Sequence, residues 1–130
     1  MGGDLEKQYR LTFEQRDGYL YAYVEGEQDN YEISRAYWLE IAAEVIRTKA
    51  KRVLIDENIV EVATIAEVFR LASEIPKMGF GPTRVAFVDR YLDQNEINEF
   101  AELVAVNRGL NGKIFNDQEL AREWLLKDEQ

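Results

Sequence analysis

Two acidic residues that follow apolar runs are the side chains of this sequence best suited to chemistry. Asp56 comes directly after Val53-Leu54-Ile55, and Asp89 comes directly after Val85-Ala86-Phe87-Val88. Such runs are typical of strands buried in a parallel sheet, and ligands bind beyond the carboxyl ends of these strands. Two carboxylates there can hold Mg²⁺, or one can act as a general base. The alternative is structural, with each acid capping a loop or pairing with a neighbouring arginine.

The rest of the composition narrows the chemistry that is open to this chain. It contains no histidine and no cysteine, which excludes disulfides, thiolate metal sites and imidazole bases. Neither a glycine-rich phosphate loop nor a GxSxG nucleophile motif is present. The formal charge is −9 over 130 residues, and such a surface repels nucleic acid and anionic lipid. We therefore predict no catalytic residue, no cofactor, no nucleic-acid partner and no membrane insertion.

Three tyrosines form the most distinctive surface pattern. Residues 9–24 alternate between apolar and polar around Asp17-Gly18, which indicates a β-hairpin with a two-residue turn. That turn pairs Arg16 with Tyr19, and the resulting register places Tyr19, Tyr21 and Tyr23 together on the more polar face. Tyrosine is enriched at interfaces, so this face predicts contact with a second subunit, a partner or a ligand. The alternative is a solvated face with aromatic cross-strand packing.

The elements that position these residues alternate along the chain. After the hairpin we predict a helix from about Asp29 to Lys49, then three strand–helix units. In the second helix, opened by a capping box at Thr64 and Glu67, Ile65 and Phe69 are predicted to face inward. The order β-β-α-β-α-β-α-β-α indicates an α/β fold with a single mixed, mostly parallel sheet. We expect one domain over residues 9–126, an unstructured start or cloning remnant at 1–8, a tail at 127–130, and a cytoplasmic location.

The element order and three stretches resemble the STAS domain. The stretches are 52–56, 84–88 and 113–125, and the last is a short strand followed by a helix that ends in Trp-Leu. STAS is the fold of bacterial anti-sigma factor antagonists and of the cytoplasmic ends of sulfate transporters. The chain looks more similar still to uncharacterised bacterial STAS-like families grouped with CRAL-TRIO lipid-binding proteins. The resemblance implies a regulatory module that acts through protein contacts.

The resemblance also implies one modification site. The antagonist family carries an Asp-Ser-Ser-Gly motif at the start of its second helix, where a partner kinase phosphorylates a serine. In this sequence the motif falls on Ala63-Thr64-Ile65-Ala66, and only Thr64 keeps a hydroxyl group. Thr64 is therefore the phosphorylation candidate, and the alternative is that it serves only as a helix cap.

Aromatic residues in the first and last helices give a further alternative. Tyr37, Trp38 and Trp124 fit apolar stripes, which is typical of core packing. A lipid-binding relative implies instead that these three line a pocket between helices and sheet. Three functions stay open: a non-catalytic interaction module with a protein partner or as a homodimer, a binding protein for a small apolar ligand or lipid, and an acid-dependent metal enzyme that uses Asp56 and Asp89.

Overall fold

The structure is a computed structural model and describes residues 8–60, 63–91 and 95–127. Its strands and α-helices follow one another in the predicted order, which confirms the α/β class. They are β1 (Arg10–Arg16), β2 (Tyr19–Glu25), α1 (Tyr31–Thr48), β3 (Arg52–Asn58), α2 (Ile65–Glu74), β4 (Arg84–Asp89), α3 (Asn95–Asn107), β5 (Gly112–Phe115) and α4 (Gln118–Leu126). A 3₁₀ turn, Ile75–Lys77, continues α2.

The strands form one sheet in the order β1-β2-β3-β4-β5. β1 is antiparallel to β2, and the pairs from β2 to β5 are parallel. The predicted hairpin register is confirmed, because Arg16 pairs with Tyr19 and Leu11 pairs with Val24. Gly18 takes a φ of 91° in the turn, a conformation that favours glycine over other residues.

Helices cover both faces of the sheet. Alternate residues of β2, β3 and β4 pack against α1, and α2 and α3 lie on that same side. We call this side the three-helix face. The opposite side, the α4 face, carries Leu54, Ala86 and Val88 beneath Ala121 and Leu125 of α4. Within the described residues no helix has the length and apolar character needed to cross a membrane.

Two local predictions need correction. The cap of α1 is Asn30, whose side chain accepts from the Ile33 amide at 2.9 Å, and Asp29 is fully buried instead. In α2 the inward stripe is narrower than predicted, and the side chains of Ile65 and Phe69 are 58% and 43% exposed. The reason is that α2 buries only the face that contains Val68 and leaves the adjacent face to solvent.

The end of α4 is tied to the middle of the sheet by one buried side chain. Arg84 of β4 donates from Nη1 to the carbonyl oxygens of Trp124, Leu125 and Lys127 at 2.7, 3.2 and 2.8 Å. Its guanidinium carbon also lies 5.2 Å from the centre of the Trp124 ring. A cation at a helix C-terminus is favourable because the last carbonyl groups have no partner within the helix.

Candidate functional site

The two strand-end acids project to opposite faces of the sheet. Asp56 pairs with Val88, whereas Asp89 pairs with Glu57, one residue further along β3. Because successive side chains alternate in a strand, Asp56 lies on the α4 face and Asp89 on the three-helix face. This corrects the expectation that the two acids approach each other. The described part of the chain also holds no cluster of three or more acidic, histidine or cysteine ligands that suits a metal ion.

Asp56 is the centre of a buried polar cluster on the α4 face. Its Oδ2 accepts from the Tyr21 hydroxyl at 2.5 Å and from Gln118 Nε2 at 2.9 Å, and Arg90 donates to both carboxylate oxygens at 2.9 to 3.2 Å. Burial and the hydrogen bond to Asp56 raise the pKa of Tyr21. With its oxygens occupied by these donors, Asp56 acts as an anchor between β2, β3 and α4.

Asp89 has a similar structural role on the three-helix face. It accepts from the backbone N–H of Tyr91 at 3.0 Å and from Asn98 Nδ2 at 2.9 Å. The first bond is an Asx-type turn, and the second fastens α3 to the end of β4. These contacts agree with the structural alternative for a strand-end acid.

A second pair of buried acids was not identified from the sequence. Asp29 is 0% exposed and Glu57 is 2% exposed. Ser34 Oγ donates to Asp29 at 2.8 Å, and the Tyr37 hydroxyl lies 3.0 Å from Asp29 and 3.4 Å from Glu57. Burial raises the pKa of Asp29, and hydrogen bonds from Ser34, Tyr37 and Glu57 oppose the rise. The pair joins the β2–α1 loop to β3; Asp29 resembled an ordinary helix cap in the sequence.

The predicted pocket residues are divided between the two faces. Tyr37 and Trp38 lie beside a cavity of about 90 Å³ between α1, α2, α3 and the sheet, and Trp38 stacks on Phe87 with ring centres 5.5 Å apart. Trp124 lies across the sheet against Phe115, because α4 packs on the other face. The three aromatics therefore do not line one pocket. The cavity is also smaller than the roughly 150 Å³ that accommodates one benzene.

The three tyrosines share one face, but they do not form an open surface. α4 packs over part of it and leaves Tyr19 only 7% exposed. Tyr21 donates to Asp56, and Tyr23 donates to Glu25 at 3.0 Å while accepting from Asn58 at 2.9 Å. The hydroxyl groups of Tyr21 and Tyr23 thus serve contacts within the chain. Partner binding by these three residues stays a prediction.

Thr64 caps α2 as its sequence context predicts. Its Oγ1 accepts from the Glu67 amide at 3.1 Å, and the Glu67 carboxylate accepts from the Thr64 amide at 3.0 Å. Both groups of this capping box lie at the surface. The hydroxyl is accessible, and its phosphorylation stays a prediction.

Exposed apolar side chains continue from Thr64 along α2 and onto α3. Ile65 and Phe69 lie one turn apart on α2, and the Phe69 ring is 6.3 Å from the ring of Phe100 on α3. On α3, Leu103 and Val106 are 60% and 42% exposed. We call Thr64, Ile65, Phe69, Leu103 and Val106 the α2–α3 surface. Periodicity assigned Ile65 and Phe69 to the core, so of this surface only the region of Thr64 could be singled out from the sequence.

Comparison with known proteins identifies the fold. No protein-family model matches the sequence, and no curated protein matches it. The structure is similar to the crystal structure of an anti-sigma factor antagonist from Mycobacterium paratuberculosis, with a TM-score of 0.65 and 14% sequence identity. The match covers 93% of this chain and 97% of that chain. At this identity the likeness carries the fold alone, and the chain is a STAS-like domain in its fold.

Proposed function

We propose that this chain is a non-catalytic regulatory module that binds another protein through the α2–α3 surface. The observation that carries the proposal is the exposure of Ile65 and Phe69 on α2 and of Leu103 on α3, two helices that are in contact through the rings of Phe69 and Phe100. Grouped apolar side chains at a surface mark sites of protein contact. The structural neighbour is described as an antagonist of an anti-sigma factor, which supports a partner that is itself a regulatory protein.

The other candidate surfaces support this function less well. Asp56 and Asp89 are engaged in structural hydrogen bonds on opposite faces, so the acid pair of the enzyme alternative is not assembled. The cavity beside Trp38 is too small for a lipid chain. The tyrosine face is partly covered by α4. The apolar side chains of the α2–α3 surface are exposed, and those of Ile65 and Leu103 are 58% and 60% exposed.

Thr64 gives this surface a means of control. We propose that a phosphate on its Oγ1 opposes partner binding, because it places about two negative charges beside Ile65. The modification also displaces the Thr64 hydroxyl from the cap and sets the phosphate against the carboxylate of Glu67. The N-terminus of α2 offsets part of that repulsion. Charge at the margin of an apolar contact then acts as the switch.

A site-specific photo-crosslinker tests the proposal in cells of the source organism. We expect a crosslinker at Phe69 to capture one regulatory protein, and a crosslinker at Leu120, an exposed residue of α4, not to capture it. Ile65→Glu is expected to weaken binding of the captured protein by roughly 30-fold, the effect of a typical interface hot spot.

Leu120→Glu is the matched control variant. The side chains of Ile65 and Leu120 are 58% and 55% exposed, so the two substitutions disturb the fold to a similar degree. Equal binding by the two variants, each shown to be folded by circular dichroism, would contradict the assignment of the α2–α3 surface. Capture of the same proteins from both crosslinker positions would contradict it as well.

A further inference from the structure

β1 is the outer strand of the sheet, and no element in the described ranges pairs with its outer edge. The two-residue turn closes on the Arg16–Tyr19 pair, which is therefore a hydrogen-bonded pair. Bonded and non-bonded pairs alternate along an antiparallel ladder. The backbone groups of Leu11 and Phe13 consequently point outward, and an outward row of N–H and C=O groups is a template for another strand.

We propose that the β1 edge binds a second copy of this chain, with the two β1 strands antiparallel about a two-fold axis at Thr12. In this register Arg10 lies opposite Glu14 of the second copy, and Leu11 lies opposite Phe13 of the second copy. Thr12 lies opposite its own counterpart. Symmetry repeats the first two pairs, so the interface contains two ion pairs and two apolar pairs. This inference does not rest on the α2–α3 surface.

The hydrogen-bond pattern of β1 fits this register. Leu11 and Phe13, which carry the outward backbone groups, become the hydrogen-bonded pairs of the new ladder. Arg10 and Glu14 become non-hydrogen-bonded pairs, in which side chains lie closest together. Leu11 and Phe13 are only half-buried against the core in the single copy. A second strand covers the side of these residues that now faces solvent.

Charge selects this register over those with the axis nearer the hairpin turn, and the register with the axis at Leu11 pairs only residues 10–12 of β1 with one another. A shift to the next register with matching backbone groups places Arg10 opposite Arg16, and a further shift places Glu14 opposite itself. Like charges directly opposite each other are destabilising. The register that sets Glu14 opposite Arg16 also joins unlike charges, but it pairs only residues 14–16 of each strand.

The ion pairs that β1 makes within its own chain do not prevent its pairing with a second copy. Arg10 pairs with Glu25, and Arg16 pairs with Glu14 at 2.9 Å. The Arg10 and Glu14 side chains are 71% and 61% exposed. Exposed ion pairs contribute little to stability, so Arg10 and Glu14 can change partners at small cost.

A disulfide tests the position of the two-fold axis, because the chain has no cysteine of its own. In Thr12→Cys the two sulfurs meet across a non-hydrogen-bonded pair, where Cα atoms lie about 4.5 Å apart. We expect this variant to oxidise to a covalent dimer. In the matched control Glu14→Cys the two cysteines lie roughly 13 Å apart and stay unlinked. Equal cross-linking of both variants, or of neither, would overturn the proposal.

Charge reversal tests the same pairing without a covalent bond. We expect sedimentation equilibrium of the unmodified chain to approach twice 15.1 kDa as its concentration rises. Arg10→Glu or Glu14→Arg alone should raise the dissociation constant about 30-fold, and the double variant should restore association. Lys113→Glu, at the far edge of the sheet, is the control and should associate normally. A monomer at every concentration, or a double variant no better than the single ones, would refute the pairing.

Discussion

Replacing Asp56 with asparagine tests whether this strand-end acid is a structural acceptor. Asparagine keeps one oxygen, but it places an NH₂ group where the carboxylate accepts from Tyr21 and Gln118. With the NH₂ group at the Oδ2 position, Tyr21 and Gln118 lose the acceptor that they share; with the amide turned, the NH₂ group faces the guanidinium of Arg90 instead. The substitution also removes the negative charge that pairs with Arg90.

The contacts of Asp56 set the size of the effect. A hydrogen bond to a charged group contributes about 1.5 to 3 kcal/mol, and the substitution either removes the shared acceptor of Tyr21 and Gln118 or replaces it by a neutral amide oxygen. The Arg90 side chain is 44% exposed, so water solvates it after the change and its contribution is discounted. We expect the free energy of unfolding to fall by about 3 kcal/mol. For a chain of this size the melting temperature falls by roughly 10 °C.

Urea unfolding, followed by the fluorescence of Trp38 and Trp124, measures this loss. The control is Glu119→Gln, which removes an exposed acid that pairs with Arg122 and should change stability by about 0.5 kcal/mol or less. A loss below about 1 kcal/mol for Asp56→Asn would refute the structural role. Stabilisation of the unmodified chain by Mg²⁺, absent in the variant, would restore the metal hypothesis.

Three further predictions concern pH and local backbone. Burial raises the pKa of Asp29, so its stabilising contribution is complete below about pH 4 and is lost as pH rises through the folded pKa. Urea titrations should show this decline, and Asp29→Asn should flatten it. Thr64→Ala should cost about 1 kcal/mol in the same assay, and Thr64→Ser clearly less. Gly79 has a φ of 117°, and a Cβ added there lies 2.8 Å from the Ile46 side chain, whereas a Cβ added at Gly81 meets no atom within 4 Å. Gly79→Ala should therefore destabilise the fold more than Gly81→Ala, and equal losses would contradict this.

The order of elements could be predicted because each local signal agrees with the fold. Asp17-Gly18 fixes the length of the turn, and the length of the turn fixes the register from Arg16–Tyr19 back to Leu11–Val24. The run before Asp56 has the apolar character of a strand that is covered on both sides. The capping box at Thr64 sets the start of α2 within one residue.

The assignment of side chains to faces could not be predicted in the same way. A strand that is apolar on both sides does not reveal which face its last residue joins, so the separation of Asp56 from Asp89 depends on register between strands. The position of α4 on the face opposite α3 likewise depends on the direction in which the chain turns after β5. That position separates Trp124 from Tyr37. Helical periodicity also overestimated the width of the buried stripe of α2, because the pattern does not show how much of the helix its neighbours cover.

The bond between Arg84 and the end of α4 constrains when this domain can complete its folding during synthesis. The guanidinium belongs to a central strand, whereas its acceptors extend to Lys127 and leave the ribosome much later. Until they emerge, the Arg84 guanidinium lacks three of its native acceptors, so burying its charge is unfavourable. We expect the centre of the sheet to stay loosely packed on the nascent chain until α4 arrives. A ribosome stalled before α4 should therefore hold a protease-sensitive chain, although all five strands and the first three helices have already been made.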